Sequence, residues 1–222
     1  MSEVEICKLA YDGHFEIFKR KIEADKNLAT KKDQSSRMPL HWAAAAGHKE
    51  IVDYLLNLGV PVNEGDDSEW TPLHIAASAG RQEIVIALLG KNALVNVTNQ
   101  TGQTPLHYAA SRNRIEVTET LLGHGADVHC YDRLSATPLH RAASQGNRKI
   151  VQLLLEQHAP VEAQDIEGNT PLHLACDENR TEVVKLLLGA DASLHTMNKD
   201  DKTPLDLAPD DLRKMLMKFI QG

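Results

Sequence analysis

At 222 residues, with 42% apolar and 25% charged side chains, the chain has the composition of a soluble globular protein of one large or two small domains. A net charge of −7 and a pI near 5.9 exclude a basic nucleic-acid-binding character, because neutralising phosphates needs concentrated positive charge. Aromatic residues make up only 4%, so a core must be built from Leu, Ile, Val and Ala, and no apolar run approaches the ~18 residues of a membrane span.

In chain order, the opening MSEVEICKLAYDGHF carries acids where a signal peptide has Lys or Arg, and it lacks an apolar stretch. Helical pieces in ICKLAYDGH and FEIFKRKIEA predict a capping helix pair over residues 3–37. From Met38 the chain repeats itself. Met38-Pro39-Leu40-His41 is followed at steps of 33 residues by Thr-Pro-Leu-His at 71–74, 104–107, 137–140 and 170–173, then by Thr203-Pro204-Leu205-Asp206. Paired leucines keep the same step at 55–56, 88–89, 121–122, 154–155 and 187–188. Gly47, Gly80 and Gly146 share a column with Asn113 and Asn179, the residue types that best tolerate a left-handed helix end. Asp66, Asn99, Asp132, Asp165 and Asn198 fill another column, suited to capping a turn.

Residues 71–103 show the physics of one unit. Thr71 is an N-cap and Pro72 occupies the first helical position, where a missing N–H costs nothing. Leu73, Ala76 and Ala77 fall on one face of a short helix that Gly80 ends. Ile84, Val85, Leu88 and Leu89 mark a second helix, and the turn Asn99–Gly102 leads to the next Thr-Pro through a hairpin-like connection. No unit can bury its own leucine face, so units must stack. The expected fold is an all-α repeat solenoid of seven 33-residue helix-turn-helix units with hairpin loops. A single domain over 1–222 divides into a cap at 3–37, units 38–70, 71–103, 104–136, 137–169 and 170–202, and a cap at 203–222 whose Leu212, Met215, Leu216 and Phe219 seal the stack. The 33-residue step and the Thr-Pro-Leu-His-x-Ala pattern resemble ankyrin repeats.

Chemistry is scarce in the sequence. His41, His74, His107, His140 and His173 are the fourth letter of the repeat, where an imidazole bonds backbone or the Thr hydroxyl and ties units together. Equivalent histidines of packed units lie ~10 Å apart, too far to share a metal. The other histidines have no Cys or carboxylate at ligand spacing, and neither a phosphate loop nor a Ser or Cys–His signature stands out. Catalytic residues, metal and cofactor are therefore all expected to be absent. Cys7, Cys130 and Cys176 are isolated, which suggests reduced thiols and a cytoplasmic and nuclear protein. A monomer is expected.

Binding remains, and columns that vary between units mark where it occurs. One follows the signature His (Trp42, Ile75, Tyr108, Arg141, Leu174), a second ends the first helix (Arg112, with Ser78 and Ser111 one position earlier in theirs), and a third precedes the Thr-Pro (Arg37, Trp70). Asp66 and Asp67 lie on an adjacent hairpin. Trp42 and Trp70 are the two tryptophans of the chain, and Trp beside Arg is the composition of an interface hot spot, although Trp42 alternatively packs inside the stack. The mixture suggests a partner carrying both charge signs around an apolar anchor.

Beyond the generic repeat, CKLAYDG, ADKNLATKKDQSSR, LHWA, DDSEWTPLHIAASAGR, TPLHYAAS and DIEGNTPLHLACDE resemble the gankyrin-like family of ankyrin-repeat proteins, non-ATPase subunits of the 26S proteasome. The resemblance implies an assembly chaperone that grips the C-terminal domain of a proteasomal ATPase subunit. It places the contact on a concave face at Arg37, Trp42, Trp70 and Arg112, the last commonly Lys in the family. It also links such proteins to retinoblastoma protein, a cyclin-dependent kinase and the ubiquitin ligase that controls p53. Departures are Met38 in place of Thr, which weakens a cap, and Asn92, Ser135 and Asp201 in place of Gly. Leu174, Cys176 and Glu178 spell a Leu-x-Cys-x-Glu candidate motif for pocket proteins. On a helix these positions do not point the same way, so the stretch reads as fold first.

Overall fold

Each Thr-Pro-Leu-His stretch opens a helix in the structure, a computed structural model that describes residues 3–221. In chain order the helices are α1 (Glu3–Asp12), α2 (Phe15–Ala24), α3 (Pro39–Ala46), α4 (Lys49–Asn57), α5 (Pro72–Ala79), α6 (Gln82–Leu89) and α7 (Pro105–Ser111). They continue with α8 (Ile115–Gly123), α9 (Pro138–Gln145), α10 (Arg148–Glu156), α11 (Pro171–Asp177), α12 (Thr181–Gly189), α13 (Pro204–Leu207) and α14 (Asp210–Gln221). A 3-10 turn covers Lys26–Thr30, and there is no strand among the described residues. The fold is an all-α repeat. The hairpin-like connections are turns closed by backbone bonds in both directions, such as Asp66 N–H to Trp70 O at 3.0 Å and Glu69 N–H to Asp66 O at 2.8 Å.

The helix starts repeat one set of bonds. Thr71, Thr137 and Thr170 accept the N–H of the following His at 3.4 Å, and their own N–H donates to that imidazole's Nδ1 at 3.2, 3.1 and 3.1 Å. Since Nδ1 accepts, the ring proton is on Nε2, which donates to a carbonyl well down the chain. His74 reaches Gln103, His107 reaches Ala136, and His140 reaches Asn169, each at 3.0 Å. Burial lowers the pKa of His41 and His107 to about 4 and also lowers those of His140 and His173, so these imidazoles are neutral. At Met38 the backbone N–H still meets His41 Nδ1 at 3.2 Å, but there is no hydroxyl to add the second bond. Asp206 replaces His in the last start, where its Oδ2 accepts both the N–H and the hydroxyl of Thr203.

Core packing follows the columns. Leu40, Ala43 and Ala44 of α3 and their counterparts Leu73, Ala76 and Ala77 of α5 are fully buried, and their alanines let neighbouring helices approach closely. In the second helices the first leucine of each pair is buried (Leu55, Leu88, Leu121, Leu154, Leu187), whereas the second is half-buried from Leu89 onward. Contacts divide the chain into two compact units. The first takes in residues up to Pro105 with Glu119–Ala126, and the second takes in Leu106–Thr118 with residues from Asp127 on. Within the first, α3 packs on α1, α4 and α5, and α6 packs on α4 and α5. Within the second, α11 packs on α9, α12 and α13, and α10 packs on α9 and α12. Leu212 and Leu216 of α14 are buried and Met215 is half-buried, while the side chain of Phe219 lies outside the described residues.

The residue after each helix-ending turn reaches back to the preceding first helix. Arg81 Nε donates to Ala45 O at 3.4 Å, Arg180 Nε to Ser144 O at 3.0 Å, and Asn147 Nδ2 to Ala110 O at 2.7 Å. These bonds complete helix C-termini that have no partner of their own. They also constrain the closing glycines. Gly47 and Gly146 have φ of 95° and 75°, and a Cβ on either would stand 2.9 or 2.8 Å from the Arg81 or Arg180 side chain. Asn113 and Asn179 adopt the same left-handed backbone. So do Asn92, Ser135 and Asp201.

Candidate functional site

The turn aspartates organise both candidate surfaces. In the first unit Asp33 accepts the N–H groups of Ser35 and Arg37 on Oδ1, at 2.9 and 3.0 Å, and the Trp42 indole N–H on Oδ2, at 2.8 Å. Asp66 repeats this arrangement: its Oδ1 takes the N–H of Ser68 and Trp70, both at 2.9 Å, and its Oδ2 takes Arg37 Nε at 2.8 Å. Burial pushes the Asp66 carboxyl up, but the bonds from Trp70 N–H, Arg37 and Ser68 N–H outweigh it and hold the group below its ordinary value. The Arg37 guanidinium lies 5.1 Å from the Trp42 ring centroid, and Tyr11 meets the same indole edge-on at 5.8 Å. Cys7, Lys8, Tyr11, Asp33 and Trp42 line a mainly apolar cavity of about 230 Å³. The result is an aromatic and cationic cluster locked by two anions, with Arg37 and Trp42 keeping part of their surface in water.

Several expectations for this face change. Trp42 and Trp70 are half-buried rather than exposed, because the first is tied to Asp33 and the second lies against the His74 ring at 6.0 Å. Ile75 and Ser78 are buried, at 8% and 5% exposure, so contrary to expectation they offer a partner little surface. Asp66 is 8% exposed and spends both oxygens inside the protein, whereas Asp67 is exposed.

In the second unit Arg141 pairs through its guanidinium with Asp132 Oδ2, while Asp132 Oδ1 takes the N–H of Leu134 and Ala136 at 2.9 and 3.0 Å. Tyr108 and Ser111 are half-buried, and Arg112 is exposed and forms no ion pair among the described residues. A cavity of about 370 Å³ lies among Ser111, Leu134, Arg141, Ser144, Asp165 and Ile166. The structure thus gathers Arg37, Trp42 and Asp66 in one unit and places Tyr108, Ser111, Arg112 and Arg141 in the other. Asp33, Tyr11 and the pairing role of Asp132 were missed; the spacing of nine residues from Asp33 to Trp42, repeated from Asp132 to Arg141, is the signal that could have found them.

Leu174, Cys176 and Glu178 do not share a face. Leu174 is half-buried, Cys176 has no exposed surface, and Glu178 is exposed just past the end of α11. Burial pushes the Cys176 thiol up to about 12. No group of three or more His, Cys, Asp or Glu among the described residues is placed to hold a metal ion, and no described helix is long and apolar enough to cross a membrane.

Comparison with known proteins adds two findings. A family model described as ankyrin repeats (three copies) matches the overlapping segments 6–99, 68–132, 87–165, 106–199 and 139–217. Over 67 residues, 30% of this chain, the sequence is 58% identical to the 26S proteasome non-ATPase regulatory subunit 10 of Mus musculus and to those of Rattus norvegicus and Homo sapiens. That stretch spans 29% of the mouse and rat proteins and 30% of the human one.

Proposed function

Since the chain belongs to the ankyrin-repeat family, we propose that it is a non-enzymatic protein-binding module that serves the proteasome as an assembly chaperone. In this reading it grips the C-terminal domain of one ATPase subunit of the regulatory particle, in cytoplasm and nucleus. The similarity to regulatory subunit 10 supports the link to the proteasome. The observation that carries the binding mode is the Arg37–Trp42–Asp66 cluster. A half-exposed indole under a guanidinium, both fixed by carboxylates, is preorganised and loses little side-chain freedom when a partner covers it. Arg112 is a fully available cation for an acidic side chain on the same partner.

The test is titration of purified C-terminal domains of proteasomal ATPase subunits against the full chain. One subunit should bind, and Arg112→Glu should weaken it about tenfold by reversing one ionic contact. Arg112 makes no internal ion pair among the described residues, so an unchanged melting temperature separates lost binding from lost fold. Equal binding by Arg112→Glu removes that residue from the site, and binding of no ATPase subunit removes the proteasomal role.

A further inference from the structure

Three turn aspartates use both carboxylate oxygens inside the protein, and a fourth does not. Asp33, Asp66 and Asp132 each spend Oδ1 on two backbone N–H groups and Oδ2 on a side-chain donor. The donor stands nine residues after the aspartate (Trp42, Arg141) or 29 before it (Arg37). At Asp165 the Oδ1 bonds are intact, from Glu167 and Asn169 N–H, both at 2.9 Å. The two donor positions are filled by Leu174 and Ala136, which cannot donate, and Oδ2 receives no hydrogen bond among the described residues. Asp165 lines the 370 Å³ cavity together with Leu134 and Ile166, two largely exposed aliphatic side chains. Arg141, on the same wall, is neutralised by Asp132, so Asp165 and the neighbouring Glu167 leave the cavity net negative.

We infer that this cavity is a binding site for an arginine side chain of a protein partner, whose guanidinium takes on Asp165 the place that Arg141 takes on Asp132, with an adjacent aliphatic residue on Leu134 and Ile166. A guanidinium N–H can donate to the open Oδ2 while Oδ1 keeps its two backbone bonds, as Arg141 does on Asp132, and its flat face tolerates apolar walls. The inference rests on the protein-binding reading but on different residues from its aromatic cluster.

The experiment records amide chemical shifts of the full isotope-labelled chain during titration with N-acetyl-arginyl-leucine amide, and with the same peptide carrying neutral citrulline. The arginine peptide should give saturable shifts at Leu134, Ile166 and Glu167, and the citrulline peptide about tenfold weaker ones. Asp165→Asn should show the same loss. That variant keeps its fold because Asn99 and Asn198 already hold the equivalent turns through the same pair of Oδ1 bonds. Leu174→Arg supplies the internal donor nine residues on and should close the site to the peptide in a folded protein. Equal binding of the two peptides, equal binding by Asp165→Asn, or no saturable shift at these amides overturns the inference. Any of these outcomes, with the ATPase domain still bound, sinks the cavity assignment alone.

Discussion

Cys176 occupies a column that is alanine at 44, 77, 110 and 143, and its side chain is as fully buried as theirs. Desolvation holds the thiol protonated far above neutral pH, so it is neither a nucleophile nor a docking group while α11 is formed. Ellman's reagent should modify Cys176 only in denaturant, with half-buried Cys130 reacting first in the native protein. Fast native reaction of Cys176 would show that α11 opens readily. Replacement by Ala returns the column to its usual occupant and should change stability by less than about 1 kcal/mol in urea unfolding. Pocket-protein capture by folded chain is not expected, since it would require Leu174, Cys176 and Glu178 to leave the helix together.

At the scale of the element, a Thr–His pair fixes the starts of α5, α9 and α11, and its loss has a definite expected size. Thr137→Ala removes the hydroxyl that caps His140 N–H and leaves Nδ1 with one bond fewer, which should cost about 1–2 kcal/mol by urea titration. A cost below a few tenths of a kcal/mol would mean that the cap is redundant. Met38, which lacks this bond, is instead 1% exposed and offsets the loss by filling core volume. These elements were legible from sequence because Thr-Pro, paired apolar columns and Gly or Asn closures act within a few residues of one another. The candidate site was legible only by column. Variation drew attention to Arg37, Trp42 and Arg141, which keep part of their surface exposed, yet it also admitted the buried Ile75 and Ser78, because a column can vary while some of its members are covered. The Asp33–Trp42 and Arg37–Asp66 bonds join residues 9 and 29 apart, and no local propensity encodes them.

For the whole molecule, the buried imidazoles and the turn carboxylates set a pH dependence of one sign. His41 and His107 are neutral in the fold down to about 4 but take up a proton near 6.5 when unfolded, so the unfolded state binds more protons between those values. Their stabilisation is complete above 6.5 and is lost as pH falls towards 4, about 2 kcal/mol for each by pH 5. Asp66 and Asp132, held below their ordinary values, add a loss of the same sign at still lower pH. The urea midpoint should therefore drop between pH 7 and 5; a flat profile there would mean that the imidazoles titrate in the fold as they do in the unfolded chain. The back-reaching side chains have a different consequence, one of time. The carbonyls that end one first helix are satisfied by Arg81, Asn147 or Arg180, more than 30 residues later, and each signature imidazole also donates forward along the chain. During synthesis on the ribosome, every repeat therefore emerges with open polar groups and is completed only as its successor arrives. The expected outcome is that, in a chain stalled after one repeat, limited proteolysis cuts the newest helix pair first.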